Sequence, residues 1–428
     1  MLALPPDHPD RLVLANEVHA RSPAPLETPA RVTHVSVLLA GEARSAEAAH
    51  LAVLLRSFGL EWPTHTGDHV SSQLGAMSFT WERHGEFSGF TFTLAGEGAS
   101  PAAASLPVGW LAGLPGQTLF AAHAAAIAAP PEGMTPELIA AHFGGNAVAG
   151  SQVADGAAIV LTDFRVHDDG YARVLLLDRG LTPRQAGRCL QRLFDIEVYR
   201  MLALLAFPIA RRQLVEVGAI ESELAQLTDD LAKAVTGDEK LLERVTGLAG
   251  RVEREIAASQ FRYGACRAYA GLVFTRIQEL RENRLAGLQP LGEFMERRFA
   301  PAVATCATAS QRLQDSASHV GRAGALLSTR VDIAHEQQNR ALLASMDRRA
   351  KMQLLLQQAV ETLSVAAIAY YAAGLIGYVA KGLKAQGIPL DVDIVVAIAV
   401  PFLVLLTVLA SGRLRRRGLA GATEPGDA

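Results

Sequence analysis

TLSVAAIAYYAAGLIGYVA (362–380) and IVVAIAVPFLVLLTVLASG (394–412) are two stretches of 19 residues without a charge, joined by 13 residues. As helices rising ~1.5 Å per residue, each covers roughly 28 Å, close to the ~30 Å hydrocarbon core of a bilayer. A buried helix of a water-soluble protein carries a polar stripe over such a length, and neither stretch has one. The sequence therefore predicts a transmembrane hairpin over residues 362–412, followed by a basic and then disordered tail over 413–428. Arg348, Arg349 and Lys351 precede the first stretch, and Arg413, Arg415, Arg416 and Arg417 follow the second. In the loop, Lys381 and Lys384 are offset by Asp391 and Asp393. The bias of basic residues predicts both termini on the cytoplasmic side of a bacterial inner membrane. Ala369, Ala373 and Gly377 recur every four residues and predict a smooth helix-packing face. Pro401 predicts a kink in the second span.

Working outward, the start of the chain has Asp7 and Asp10 and no apolar run before them, so no signal peptide is expected. The net charge of −3 hides an asymmetry. Residues 1–178 hold 8 basic and 18 acidic residues, and 179–353 hold 26 and 20. No dense basic patch interleaved with aromatics marks a nucleic-acid surface. Cys189, Cys266 and Cys306 are three, widely spaced and outside any CxxC, which argues against a zinc site or a disulfide framework.

Residues 1–178 read as a cytoplasmic α/β domain with a mixed sheet. A strand is expected at 31–40 and a helix over 45–58 stopped by Gly59. Alternation over 77–82 and 90–94 about His84-Gly85 predicts a hairpin. A strand is expected at 117–129, and a second hairpin at 157–178 turning at Asp168-Asp169-Gly170. Thr135-Pro136-Glu137 is an N-cap, a first-turn proline and an early acid, and Gly144-Gly145 ends that helix. From Thr182-Pro183 the pattern turns helical, and 179–361 is expected to be a helical stalk with coiled-coil character. Leu313, Ala317, Val320, Gly324, Leu327, Val331, Ala334, Gln338 and Ala341 alternate steps of three and four, a thin a/d seam. One helix from about 302 to 380 is predicted, with Gly321 and Gly324 as points of bending.

The opening LANEVHAR (14–21), FTWERHGEFSGFTF (79–92), HFGGN (142–146) and TDFRVHDDGYARVLLLD (162–178) resemble the blocks of one bacterial family. QAGRCLQRLFDIEVYRMLALLAF (185–207) and LSVAAIAYYAAGLIGYVAKG (363–382) extend the likeness. The family is the domain of unknown function numbered 3422. Its pattern has a proline directly after the HAR block, where this chain has Ser22 before Pro23. The resemblance implies a membrane anchor and no assigned reaction. A looser likeness, in layout alone, is to the two-span magnesium channels. Those carry Gly-Met-Asn at the end of the first span, whereas this chain has Gly377-Tyr378-Val379-Ala380-Lys381.

Constellations for chemistry are sparse. His335-Glu336 opens an HExxH whose fifth residue is Asn339, so two imidazoles cannot meet a metal one turn apart. His65, Asp68 and His69 have ligand chemistry but surround Gly67, as a loop does. Asn16, Glu17, His19 and Arg21 form a polar group. In an extended segment Glu17, His19 and Arg21 share one face, where a carboxylate can tune an imidazole. A salt-bridged surface is the simpler account of the same residues. Asp163, Arg165 and His167 read as a cross-strand ion pair. No phosphate-binding loop, nucleophile elbow or cofactor motif occurs. The expected protein is non-enzymatic, without a cofactor or a metal. It is expected to be a homo-oligomeric scaffold or sensor whose partners are the bilayer and its own copies. An oligomeric two-span channel is the alternative.

Overall fold

The computed structural model describes residues 5–17, 23–39, 41–63, 67–131, 133–233, 237–385, 388–389 and 391–420. They fall into two compact units, Met1–Leu327 and Ser328–Ala428. The first unit opens with α1 (Arg11–Glu17), β1 (Ala30–Leu38), α2 (Glu42–Ser57), β2 (His69–Leu74), β3 (Met77–Arg83) and β4 (Phe87–Ala95). It continues through β5 (Gln117–Ala128), α3 (Pro136–Phe143), β6 (Ala149–Val153), β7 (Ala158–Thr162) and β8 (Ala172–Asp178). Helices α4 (Pro183–Leu204), α5 (Phe207–Lys233) and α6 (Asp238–Leu280) follow, then β9 (Asn283–Arg284) and α7 (Leu291–Arg298). Helix α8 (Ala300–Ala385) starts in this unit, and α9 (Val392–Ala420) lies in the second.

The described strands form one sheet in the order β2-β3-β4-β1-β5-β8-β7-β6-β9. Every neighbouring pair is antiparallel except β5 and β8, which run parallel. Strands β1 to β8 make the mixed sheet expected from residues 1–178, and β9 joins it from outside that range. The 77–94 hairpin forms as predicted, with Phe79 opposite Phe92 and Trp81 opposite Phe90. Thr135 caps α3 by accepting from the Leu138 N–H, and Gly144 closes it at φ 61°.

Strand alternation divides the core into two sides. On one side Val32, Phe87, Ala124 and Leu176 meet α4 through Leu190 and Phe194. On the other, Phe79, Trp81, Phe90 and Phe92 meet Leu51 and Leu54 of α2. Each fully buried side chain of this size contributes about 1.5–3 kcal/mol. Glu47 of α2 is wholly buried, and its carboxylate accepts from Trp81 Nε1 at 2.9 Å and Arg83 Nε at 2.9 Å. Farther along, Phe143 of α3 covers Ile159, Leu161, Leu175 and Leu177.

The boundary at 178/179 is a change of secondary structure inside the first unit. Residues expected to begin a stalk supply, in α4, the layer that covers the sheet. Pro208 and Pro301 sit in the first turns of α5 and α8, and Pro290 directly precedes α7, where a missing N–H costs nothing.

Helix α8 matches the predicted 302–380 closely and runs on through Gly321 and Gly324, so neither glycine ends it. Gly324 serves contact instead: a Cβ on it would stand 3.2 Å from Val245 Cγ1 of α6. The first half of the seam, including Val320 and Leu327, is buried against α5 and α6 of the same chain. Ala334, Gln338 and Ala341 are exposed. In the second unit Ala369 and Ala380 of α8 are buried, and Gly377 lies against Val396 of α9. Pro401 sits inside α9, which is assigned as one continuous helix.

Candidate functional site

A cleft lies between α4 and the sheet. Alternation aims Val32 and His34 of β1, Thr91 and Thr93 of β4, and Thr80 and Glu82 of β3 toward α4. Helix α4 starts at a capping box, in which the Thr182 hydroxyl accepts from the Gln185 N–H and Gln185 returns a bond to Thr182 N. Helical spacing then brings Gly187, Gln191, Phe194, Asp195 and Val198 to the cleft. Residues 23–26 form its roof. They are held by Leu26 N–H donating to Pro183 O at 2.9 Å and by the bare Cα of Gly187 under Ala24. The open volume is about 80 Å³.

His34 forms the floor. Its Nδ1 lies 2.8 Å from Thr91 Oγ1 and its Nε2 lies 2.8 Å from Ser36 Oγ, and its ring stacks on Phe194 at 4.7 Å. Burial and the nearby His84 hold its pKa down at about 3, so it is neutral at ordinary pH. A neutral ring with both nitrogens engaged is a structural histidine. Gly89 makes room for it, since a Cβ there would stand 3.3 Å from His34 Cε1.

The cleft mouth widens into a polar pocket of about 260 Å³ between α4 and α6. An ion-pair chain crosses it. Arg276 Nε donates to Asp195 at 2.9 Å, Arg276 Nη1 reaches Glu279 at 3.0 Å, and Arg192 Nε donates to Glu279 at 2.9 Å. Burial pushes the Asp195 carboxyl up to about 6 against the pull of Arg276. Burial and the Asp195 charge push the Tyr199 phenol up to about 12. A third pocket of about 250 Å³ shares Arg188, Arg192 and Glu279 with this mouth and adds Arg281. Arg188 is exposed and has no hydrogen-bond or ion-pair partner among the described residues.

The residues singled out in the sequence fall elsewhere. Asn16 and Glu17 end α1, which corrects the expectation of an extended segment there; His19 and Arg21 lie outside the described residues, as does His65. Ala369 is buried, and Ala373 and Gly377 are half-buried; a Cβ on Gly377 would stand 3.3 Å from Val396 Cγ2. His69 Nε2 is 4.0 Å from Glu82 Oε1. Glu336 pairs with Arg340 at 2.5 Å on an exposed face.

Asp163 is not in a strand, because β7 ends at Thr162. Its carboxylate lies 2.8 Å from His167 Nε2 and accepts from Asn146 Nδ2 at 2.8 Å, while Arg165 gives only its backbone N–H. The expected cross-strand pair is thus a loop clasp. Among the described residues no three His, Cys, Asp or Glu side chains group as metal ligands. His34 inside the apolar run RVTHVSVLLA was the one signal for the cleft; Asp195, with Gln191, Arg192 and Glu197 beside it in QRLFDIEVYR, gave none.

No curated protein and no solved structure matches the chain. The model of the family described as Protein of unknown function (DUF3422) matches residues 6–418. With the match running through the sheet, α4, α8 and most of α9, the chain belongs to the DUF3422 family.

Proposed function

We propose that this protein is anchored in a bilayer by the end of α8 and by α9, and that it acts as a non-enzymatic homo-oligomeric scaffold or sensor. One observation carries the anchor: none of the apolar window Val392–Leu409 is buried. Ile398 and Phe402 are 66% and 65% exposed there, and Tyr370, Tyr371 and Leu375 are comparably exposed on α8. Apolar surface of that extent is stable in lipid or against another protein, and not in water. The flanking arginines support a cytoplasmic location for both termini at a bacterial inner membrane. The unpartnered continuation of the α8 seam supports self-association. Full-length protein is expected to stay with membranes through an alkaline wash and to need detergent, and a variant lacking 362–412 to be soluble. Detergent-free solubility of the full chain overturns the anchor. A monodisperse monomer in detergent overturns the oligomer.

A pore is the second reading, favoured by the unbroken run of α8 from residue 300 to 385. A helix that is both part of the folded unit and the first apolar span is the layout a two-span channel uses. Reconstituted protein would then pass Mg²⁺, Ni²⁺, Na⁺ or K⁺ faster than empty liposomes leak. Absence of flux for all four rejects it.

A further inference from the structure

The cleft and its mouth form an amphipathic slot with one guanidinium, that of Arg188, outside any ion pair among the described residues. The inner part is walled by Leu26, Val32, Phe87, Leu190, Phe194 and Val198. At about 80 Å³ it holds a group of a few carbons and not an acyl chain. It adjoins the mouth through Pro23, Glu82, His84, Gln191 and Asp195, which line both. At the mouth three acids, Glu82, Asp195 and Glu279, face three arginines, Arg188, Arg192 and Arg276. Asp195 and Glu279 are taken by Arg276 and Arg192, Arg281 pairs with Asp155 at 2.6 Å, and Glu82 faces His69. Arg188 is the guanidinium that remains, and it borders both polar pockets.

We propose that this slot binds a small monocarboxylate with a short apolar body, its carboxylate on Arg188 and its body in the cleft beneath residues 23–26. A planar guanidinium takes a carboxylate through two parallel hydrogen bonds, which a point-charge lysine does not match. With acids and arginines equal in number at the mouth, a monoanion adds less uncompensated charge than a phosphate dianion would. Burial of the body beside Phe194 and Leu190 supplies the remaining affinity without any movement of the ion-pair chain. The Thr80 and Thr93 hydroxyls line the slot with no hydrogen-bond partner among the described residues, so one polar substituent on the body is also accommodated.

The test is titration of pentanoate into full-length protein in detergent, read by calorimetry and by melting temperature, with 1-pentanol and pentylammonium as comparators. Saturable pentanoate binding, stronger than that of either comparator, is expected. Arg188→Ala is expected to weaken pentanoate about tenfold and leave pentanol unchanged, with Arg188→Lys intermediate. Arg184→Ala, one turn away and outside the slot, is expected to bind as the parent does. Thr93→Phe, which fills the inner part, is expected to abolish binding; should it misfold by circular dichroism, the Arg188 series decides alone. No saturable pentanoate binding, pentylammonium binding as tight, or an unaffected Arg188→Ala variant overturns the proposal.

Discussion

The Cα of Gly187 lies directly under the carbonyl of Ala24: a Cβ on the glycine would stand 2.0 Å from that oxygen. No side chain can relieve the overlap, because the obstacle is backbone. Gly187 therefore lets the strap at 23–26 cross α4 and roof the cleft. Gly187→Ala gains up to ~1 kcal/mol of helix propensity but forces the strap away, at a cost of about 1–3 kcal/mol. A net fall in melting temperature is expected, with faster proteolysis near Pro25. A more stable variant would mean that the strap is not held by this contact.

His34 makes the fold sensitive to acid. Its folded pKa of about 3 lies below the ~6.5 of an unfolded histidine, so between those values the unfolded chain binds the extra proton. Stability from this group is complete above pH 6.5 and is lost as the pH falls toward 3. Replacement by Gln, which keeps hydrogen-bonding groups without a titrating ring, is expected to flatten the melting temperature between pH 6.5 and 4.

Asp195 acts with the opposite sign. Its folded pKa of about 6 exceeds the usual carboxylate value, so the folded state holds the proton more tightly, and stability from this group falls as the pH rises from about 4 to about 6. Asp195→Asn is expected to steepen the net acid sensitivity, because the opposing His34 effect is then left alone. A parallel curve for variant and parent would refute the assignment.

Glu47 binds an indole and a guanidinium from wholly inside the core. Removing it strands Trp81 Nε1 and leaves Arg83 only Asp68 at 3.7 Å, at a cost of about 1–3 kcal/mol for the unsatisfied indole. Glu47→Ala is expected to unfold the sheet edge β2-β3 in hydrogen exchange, while Glu47→Gln retains part of the stability.

Gly377 meets Val396 with no Cβ to spare. Gly377→Leu is expected to force α8 and α9 apart in the second unit, lowering the detergent melting temperature by the effect of about 1–3 kcal/mol of overpacking. A bulky residue at Gly374, where a Cβ meets nothing within 4 Å, is expected to be tolerated. Equal sensitivity at both positions would argue against this packing.

Local rules made much of this architecture legible. Alternation over 77–94, the Thr135 cap and the absence of proline between 301 and 389 sufficed for the hairpin, α3 and α8, because each depends on neighbours in sequence. Sheet order did not follow from such rules. The parallel seam of β5 against β8 and the two-residue β9 are set by tertiary packing, and β9 is too short for any periodicity. The cleft was hidden for the same reason: its walls come from 23–34, 80–93 and 187–198, distant stretches with no motif in common. The seam of α8 was visible, but the sequence alone could not tell α5 and α6 from a second copy as its partner.

The two-residue strand β9 has a consequence for biosynthesis. The sheet is complete once Asn283 and Arg284 have left the ribosome, 78 residues before the first uncharged stretch begins at 362. The unit itself ends at Leu327, 35 residues before that stretch, which at ~5–20 residues per second leaves roughly 2–7 s for it to fold before the uncharged helices emerge. Translation order thus separates, in time, the sheet's exposed edges from the segments with which they could aggregate.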